Sequence, residues 1–240
     1  MERYLALWLE APLQSWGSDS KFGRRDTLTF PTKSGLYGLY LAALGARGEQ
    51  RDLLSRLADF PMTIYSFRKK VDQPAFLFSG KTPFLMDFQM VGSGYRDSKD
   101  YPWERLLIPK TAEGKPAVGG GSKMTYRYYL QNAHFGVVQE LSLDLANDLE
   151  KAIQEPVFNL YFGRKNCVPS DFIFHGNYES FEKAEAAIFN LAEQKNLVED
   201  FRVLEGEFEG EEMVINDIPI QFGESKLYRD RKITVLKNGK

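Results

Sequence analysis

At 240 residues, with 43% hydrophobic and 27% charged side chains, the chain can bury a sizeable core as one large domain or two small ones, which excludes a disordered class. A single cysteine, Cys167, excludes an internal disulfide, and two histidines, His134 and His175, cannot build a zinc centre alone. The net charge of −2 is unevenly split: residues 1–135 hold 19 Lys+Arg against 13 Asp+Glu, a net of +6, and residues 136–240 hold 12 against 20, a net of −8.

In chain order, Tyr4–Leu9 alternates as a strand and runs into a polar loop, Glu10–Phe30, that holds an exposed-looking Trp16 and the pair Arg24-Arg25. Ser34–Leu44 follows as an apolar helix that Thr32 or Ser34 can cap, with Gly45 and Gly48 ending it. Gln50–Ala58 reads as a short helix and Met62–Phe67 as a strand, so strand–helix–strand opens a ferredoxin-like unit. Phe84–Val91 is a further strand. Gly92–Lys123 lacks periodicity, carries Trp103, Leu106 and Leu107 in its middle, and reads as a hairpin or arm.

Met124–Leu130 and Phe135–Leu141 read as two strands flanking Gln131-Asn132-Ala133, and Asp144–Ile153 as an amphipathic helix. Pro156 stops that helix and Val157–Phe162 returns as a strand, completing a β-α-β-β-α-β set within residues 1–170. Residues 171–240 contain a helix at Phe181–Gln194 and four strands near Phe201–Phe208, Glu212–Ile215, Pro219–Phe222 and Ile233–Leu236. They read as a smaller, acidic α+β subdomain. The longest apolar stretch, Leu36–Ala46, is short of the ~20 residues a membrane helix needs. With no basic-apolar leader, a cytoplasmic protein is expected.

The chemistry concentrates in the first loop. A helix start has unpaired N–H groups and partial positive charge, which suit a phosphate. Arg24, Arg25, Lys33, Arg127, Arg164 and Lys165 all fall near that start and can neutralise phosphates, while Trp16 or Tyr37 can stack an unpaired base. Gln14 and Ser15 can touch the same strand or satisfy backbone groups in the turn.

Two other constellations are weaker. Ser79-Gly80-Lys81-Thr82 fails as a phosphate-binding loop, because Ala75 stands where a glycine is needed and Pro83 where a helix should begin. The seven carboxylates of Glu199–Glu212 lack calcium-loop spacing and read as a solvated face. Metal-free RNA cleavage would need an acid and a base, for which Tyr37, Lys123 and His134 are the candidates.

Four stretches carry a family resemblance: Ala11-Pro12-Leu13-Gln14-Ser15-Trp16-Gly17, Phe30-Pro31-Thr32-Lys33-Ser34-Gly35-Leu36-Tyr37-Gly38, Tyr126–Phe135 and Pro156–Cys167. In this order they resemble the CasD-type (type I-E) Cascade subunits of the RAMP superfamily, over about residues 3–175. Asn132 departs from the family's aspartate. The resemblance implies a ferredoxin-like core with a long hairpin thumb, here about residues 84–123. It also implies a non-catalytic subunit without a cofactor that holds the 5′ handle of the crRNA, beside a large subunit and a backbone subunit, and meets target DNA only indirectly. By analogy Gln14, Ser15, Trp16, Arg24, Arg25, Lys33, Ser34, Arg127, Arg164 and Lys165 contact RNA, and Trp103, Leu106 and Leu107 face a protein. The repeat-cutting branch of the family places a Lys-His pair beside a tyrosine. No such dipeptide occurs here, which disfavours the alternative, a metal-independent endoribonuclease.

Overall fold

In this computed structural model the described residues are 2–17, 20, 23–70, 84–91, 111, 113, 115 and 123–237. Trp103, Leu106 and Leu107 lie outside them. The sheet is built around β1 (Glu2–Gln14), whose side chains alternate between two cores. Leu5, Leu7, Leu9 and Ala11 point into the larger one, while Ala6 and Trp8 point into the smaller. A strand covered on both faces must be apolar on both, which explains the nearly unbroken run Leu5–Leu9.

Helices α1 (Lys33–Leu44) and α3 (Leu143–Gln154) contribute to the larger core, as does α2 (Arg51–Ala58) through Leu54 and Leu57. Helix α4 (Phe181–Gln194) closes the other face with Ala184, Ile188 and Ala192. Its approach explains a glycine in mid-strand: a Cβ on Gly136 would come within 2.2 Å of Ile188.

The remaining strands are β2 (Arg24–Arg25), β3 (Met62–Lys69), β4 (Phe84–Val91), β5 (Lys123–Ser142), β6 (Phe174–Tyr178), β7 (Leu197–Glu205), β8 (Glu211–Gln221) and β9 (Leu227–Lys237). The sheet runs β6-β1-β5-β3-β7-β9-β8, with β2 and β4 also pairing β5. Its first four strands are antiparallel and interleaved with helices, an α+β arrangement consistent with a ferredoxin-like core.

Three sequence expectations are corrected. The two strands around Gln131-Asn132-Ala133 are one strand of 20 residues, β5. It keeps β1 along one edge and exchanges β4 for β3 along the other, and Asn132 adopts φ 49° at the exchange. Asparagine tolerates that left-handed conformation, so what reads locally as a turn is a change of partner. Val157–Phe162 is not a strand. Its first two N–H groups donate to Ala43 and Ala42 carbonyls at the end of α1, which draws the chain away from the sheet. The strand following α3 is instead β6, paired with β1.

The strands from 171 onward join the same sheet, β6 on β1 and β7 on β3. Glu212–Ile215 and Pro219–Phe222 are largely parts of one strand, β8, irregular between Asn216 and Ile218 and between Pro219 and Gln221. A sheet-edge strand with such irregularities accommodates Pro219 without losing the ladder.

A network of four charges, three of them buried and Glu205 half-buried, ties the last strands to the start of α1. The Lys33 backbone N–H donates to Asp217 Oδ2 at 2.7 Å, and the Thr32 hydroxyl accepts from the Gly35 N–H at 3.1 Å. The Lys33 ammonium, 0% exposed, donates to the carbonyls of Ala58 and Phe60 and lies 2.9 Å from Glu205. Arg231 grips Asp217 through two bonds of 2.6 and 2.9 Å and reaches Glu205 at 2.9 Å. Burial pulls the Lys33 ammonium below its ordinary range, opposed by Glu205. Lys33 is thus not poised for a phosphate as the sequence reading expects, and Glu205 of the acidic run is structural rather than solvated.

Removing one member leaves an unbalanced charge in the core. Lys33→Met is expected to lower stability by about 3–5 kcal/mol, read as a shift of the urea midpoint. An unchanged midpoint refutes the network's role.

Candidate nucleic-acid interface

At the end of β1, Gln14 is consumed by the backbone. Its Nε2 donates to the carbonyls of Leu9 at 3.1 Å and Ala133 at 2.8 Å, and its Oε1 accepts from Trp16 Nε1 at 3.1 Å. Trp16, 1% exposed, stacks at a tilt 5.9 Å from Phe162 and lies over Gly35, where a Cβ would come within 2.8 Å of the indole. The exposed-looking tryptophan is therefore a core residue, and its ring is closed to a base. Ser15 is also buried, its hydroxyl donating to the Tyr128 carbonyl.

The segment after Phe162 is held against this turn. Phe162 O accepts from the Ser15 N–H at 3.0 Å, and Gly163 turns at φ 93° with Ser15 O only 1.7 Å from where a Cβ would stand. Only glycine fits there. Arg164 then reaches back, donating to the carbonyls of Tyr128 at 3.3 Å and Arg25 at 2.9 Å over the Tyr129 ring. Part of its function is to pin the first loop to β5. Arg24, exposed, pairs with Asp26 at 2.9 Å above the Tyr128 ring. Arg127 stands in register with Arg25 on one side and Asp87 on the other.

Beside α1 these segments border an open cleft of about 880 Å³. The helix presents Ser34, Gly35, Gly38 and Ala42 together with Leu39 and Leu41, and Gly38 lets a ligand approach the backbone. A Cβ on Gly38 would meet nothing within 4 Å. Phe158, Tyr161, Arg164 and Lys165 come from the segment after α3, and Arg25 and Asp26 from the first loop. Phe222, Lys226 and Tyr228 come from the β8–β9 hairpin. Among the described residues, four cations thus line the cleft against one carboxylate, Asp26, which Arg24 already holds.

Of the residues the sequence singles out, Ser15, Arg25, Ser34, Arg164 and Lys165 meet at this cleft. Gln14, Trp16 and Lys33 are buried and do not line it, and Arg24 and Arg127 also stand outside its lining. Sequence reasoning missed Phe158, Phe222, Lys226 and Tyr228. Phe158 lies in the family-like stretch Pro156–Cys167, and the signal for the other three was an isolated basic-aromatic cluster in the turn Phe222–Tyr228 of the acidic half.

The acid–base candidates lie elsewhere. Tyr37 is fully buried and donates its hydroxyl to the Leu57 carbonyl at 2.6 Å, and burial drives its pKa far upward, so it belongs to the core. His134 stands beside Trp8 and 3.9 Å from Glu10. Lys123 begins β5, and its side chain lies outside the described residues. Neither Tyr37 nor His134 lines the cleft. Among the described residues no group of three or more His, Cys, Asp or Glu could hold a metal ion, and no helix is long and apolar enough to cross a membrane.

A sequence model of the family described as CRISPR-associated protein (Cas_Cas5) matches residues 4–235. The CRISPR system Cascade subunit CasD of Escherichia coli (strain K12) is 29% identical over 192 residues, covering 78% of this chain and 77% of that protein. One chain of a solved CRISPR RNA-guided surveillance complex is similar at a TM-score of 0.69 and 26% identity, covering 98% of this chain and 89% of its own. The crystal structure of a Cas protein is similar at a TM-score of 0.55 and 26% identity, covering 98% of this chain and 95% of its own.

Acid stability tests the placement of His134. Burial holds its pKa below the ordinary 6.5, Glu10 opposing and Lys195 and Lys69 assisting. The folded state therefore takes up this proton later than the unfolded chain. The contribution to stability is complete above pH 6.5 and is lost as pH falls through the lowered value. His134→Gln is expected to flatten the dependence of the thermal midpoint on pH just below 6.5. An identical slope in the variant contradicts the assignment.

Proposed function

The chain belongs to the CRISPR-associated Cas5 family, and we propose that it is a non-catalytic, cytoplasmic RNA-binding subunit of a type I-E Cascade complex that holds the crRNA 5′ handle along α1. One observation carries the reading: Arg25, Arg164, Lys165 and Lys226 converge on a cleft whose other walls offer aromatic rings and a helix of small residues. Cations neutralise phosphates with release of counterions, and Tyr161 can stack a base that lacks a partner strand, while Arg47 already lies over the Phe158 ring. Duplex RNA, read by shape and 2′-hydroxyls across a wide minor groove, has less use for such rings.

The E. coli relative is by name a Cascade subunit, which supports other Cascade subunits as this chain's partners. The ribbon of β4 and β5 supports a protein contact as well. Phe84, Met86, Phe88 and Met90 alternate along one face of β4, about half exposed, with Met124 and Tyr126 across the ladder. Such an exposed apolar face favours a protein neighbour, and in the proposed assembly it meets the backbone subunit. Trp103, Leu106 and Leu107 are proposed to extend that contact, with the large subunit beside it. Target sequence is left to guide pairing, so target DNA is met indirectly.

Two substitutions test the cleft with the full-length chain and a single-stranded handle RNA. Arg25→Ala with Lys165→Ala should weaken binding and flatten the slope of log affinity against log salt by about 1.4, at about 0.7 per phosphate contact. Gly38→Leu should fill the cleft while keeping or raising the thermal midpoint, since a glycine inside a helix costs about 0.5–1 kcal/mol relative to alanine. Binding by both variants at the native level would move the RNA site elsewhere. RNA cut in EDTA to a 2′,3′-cyclic phosphate would overturn the non-catalytic assignment.

A further inference from the structure

We infer that the β8–β9 hairpin, in the acidic part of the chain, is a wall of the RNA site, with Lys226 neutralising a handle phosphate and Tyr228 presenting a ring to an adjacent base. This rests on the cleft being the RNA site, as proposed above, and adds a contact surface that neither the family-like motifs nor the basic first half of the chain contains.

The argument begins with how the cations of this hairpin are used. Arg229 pairs with Asp59, Arg231 with Asp217 and Glu205, Lys232 with Glu207, and Lys237 with Glu211. Each cation of β9 is thus matched to a carboxylate on a neighbouring element. Lys226, one residue before β9 and exposed, has no carboxylate partner among the described residues, and it is the hairpin cation that lines the cleft. Arg25 and Lys165 share both properties, lining the cleft without an ion pair among the described residues. The β9 cations are paired, and those facing the cleft are left for an anion that the described residues do not supply.

The hairpin is also held where such a contact requires it. Phe222 N–H donates to Glu49 O at 3.0 Å, joining the end of β8 to the loop after α1. Gly223 turns there at φ 85°, with the Gly48 carbonyl carbon 3.5 Å from where a Cβ would stand. At the other end of α1, Asp217 of the same β8 accepts from the Lys33 N–H. Both ends of the helix are therefore fastened to β8, and the turn cannot swing away without breaking contacts at each. Tyr228 packs edge-on against Phe222 at 6.4 Å, which orients its ring at the cleft margin. Glu205, Glu207, Glu211 and Asp217 are drawn into ion pairs with β9, and among the described residues no carboxylate of this half lines the cleft beside Lys226.

Salt-dependent binding of the full-length chain to a single-stranded RNA carrying the 5′ handle tests the inference. Lys226→Ala should flatten the salt slope by about 0.7, and Lys226→Glu should weaken binding further at low salt. Tyr228→Ala should weaken binding roughly fivefold to a hundredfold, with Tyr228→Phe restoring it, because the ring and not the hydroxyl makes the contact. Glu224→Ala, in the same turn but outside the lining, should leave the slope unchanged, and thermal midpoints identify any variant that fails to fold. If the wild type binds with a salt slope that Arg25→Ala with Lys165→Ala reduces, while the Lys226 variants match the wild type, this inference is wrong and the proposed function stands. If the wild type does not bind the handle RNA, the underlying reading fails as well.

Discussion

The structure depends on three buried charges, Lys33, Asp217 and Arg231, and the half-buried Glu205, which alternate in sign around the first turn of α1. Two cations and two carboxylates cancel, so the desolvation each would suffer alone is offset by neighbours at hydrogen-bond distance. The arrangement joins the start of the chain to strands nearly two hundred residues later. It also occupies the helix start, where unpaired N–H groups would otherwise attract an external anion. A ligand is thereby displaced from the end of α1 to its flank, where Gly38 leaves room beside the helix.

From this follows a separation of duties among basic and aromatic residues. Lys33 and Arg231 are buried and matched, and Arg164 spends part of its guanidinium on two carbonyls. Trp16 and Gln14 lock the turn at the end of β1, while Gly163 allows the later segment to close over it. None of these has to touch a ligand to be required by the site. They set the distance between the first loop and the segment after α3, and so the width of the cleft between Arg25 and Lys165. A substitution in this layer would alter binding through shape, and one at Lys165 or Lys226 through charge.

Much of the fold was legible in the sequence. Helices α1 to α4 were located to within a residue or two because their apolar faces, caps and breakers are local properties. The strand rich in apolar residues at the start and the alternation in Met62–Phe67 were equally plain. The errors have one source. Gln131-Asn132-Ala133 carries turn residues yet lies inside β5, because the turn signal marks a change of strand partner. Val157–Phe162 has strand composition yet follows the end of α1, whose free carbonyls take its N–H groups. In both, a non-local partner decided between conformations that the local residues allow equally.

The sequence by itself determined the helices, the excess of basic side chains in residues 1–135 and the motifs that place the chain in its family. Side-chain orientation and pairing belong to tertiary structure alone. Trp16 and Lys33 look like ligand contacts in sequence, and both are buried. Lys226 looks like one more charge in an acidic stretch, and it faces the cleft. A charge's availability depends on whether a carboxylate from elsewhere in the chain lies within reach, and that distance exists only once the sheet has assembled.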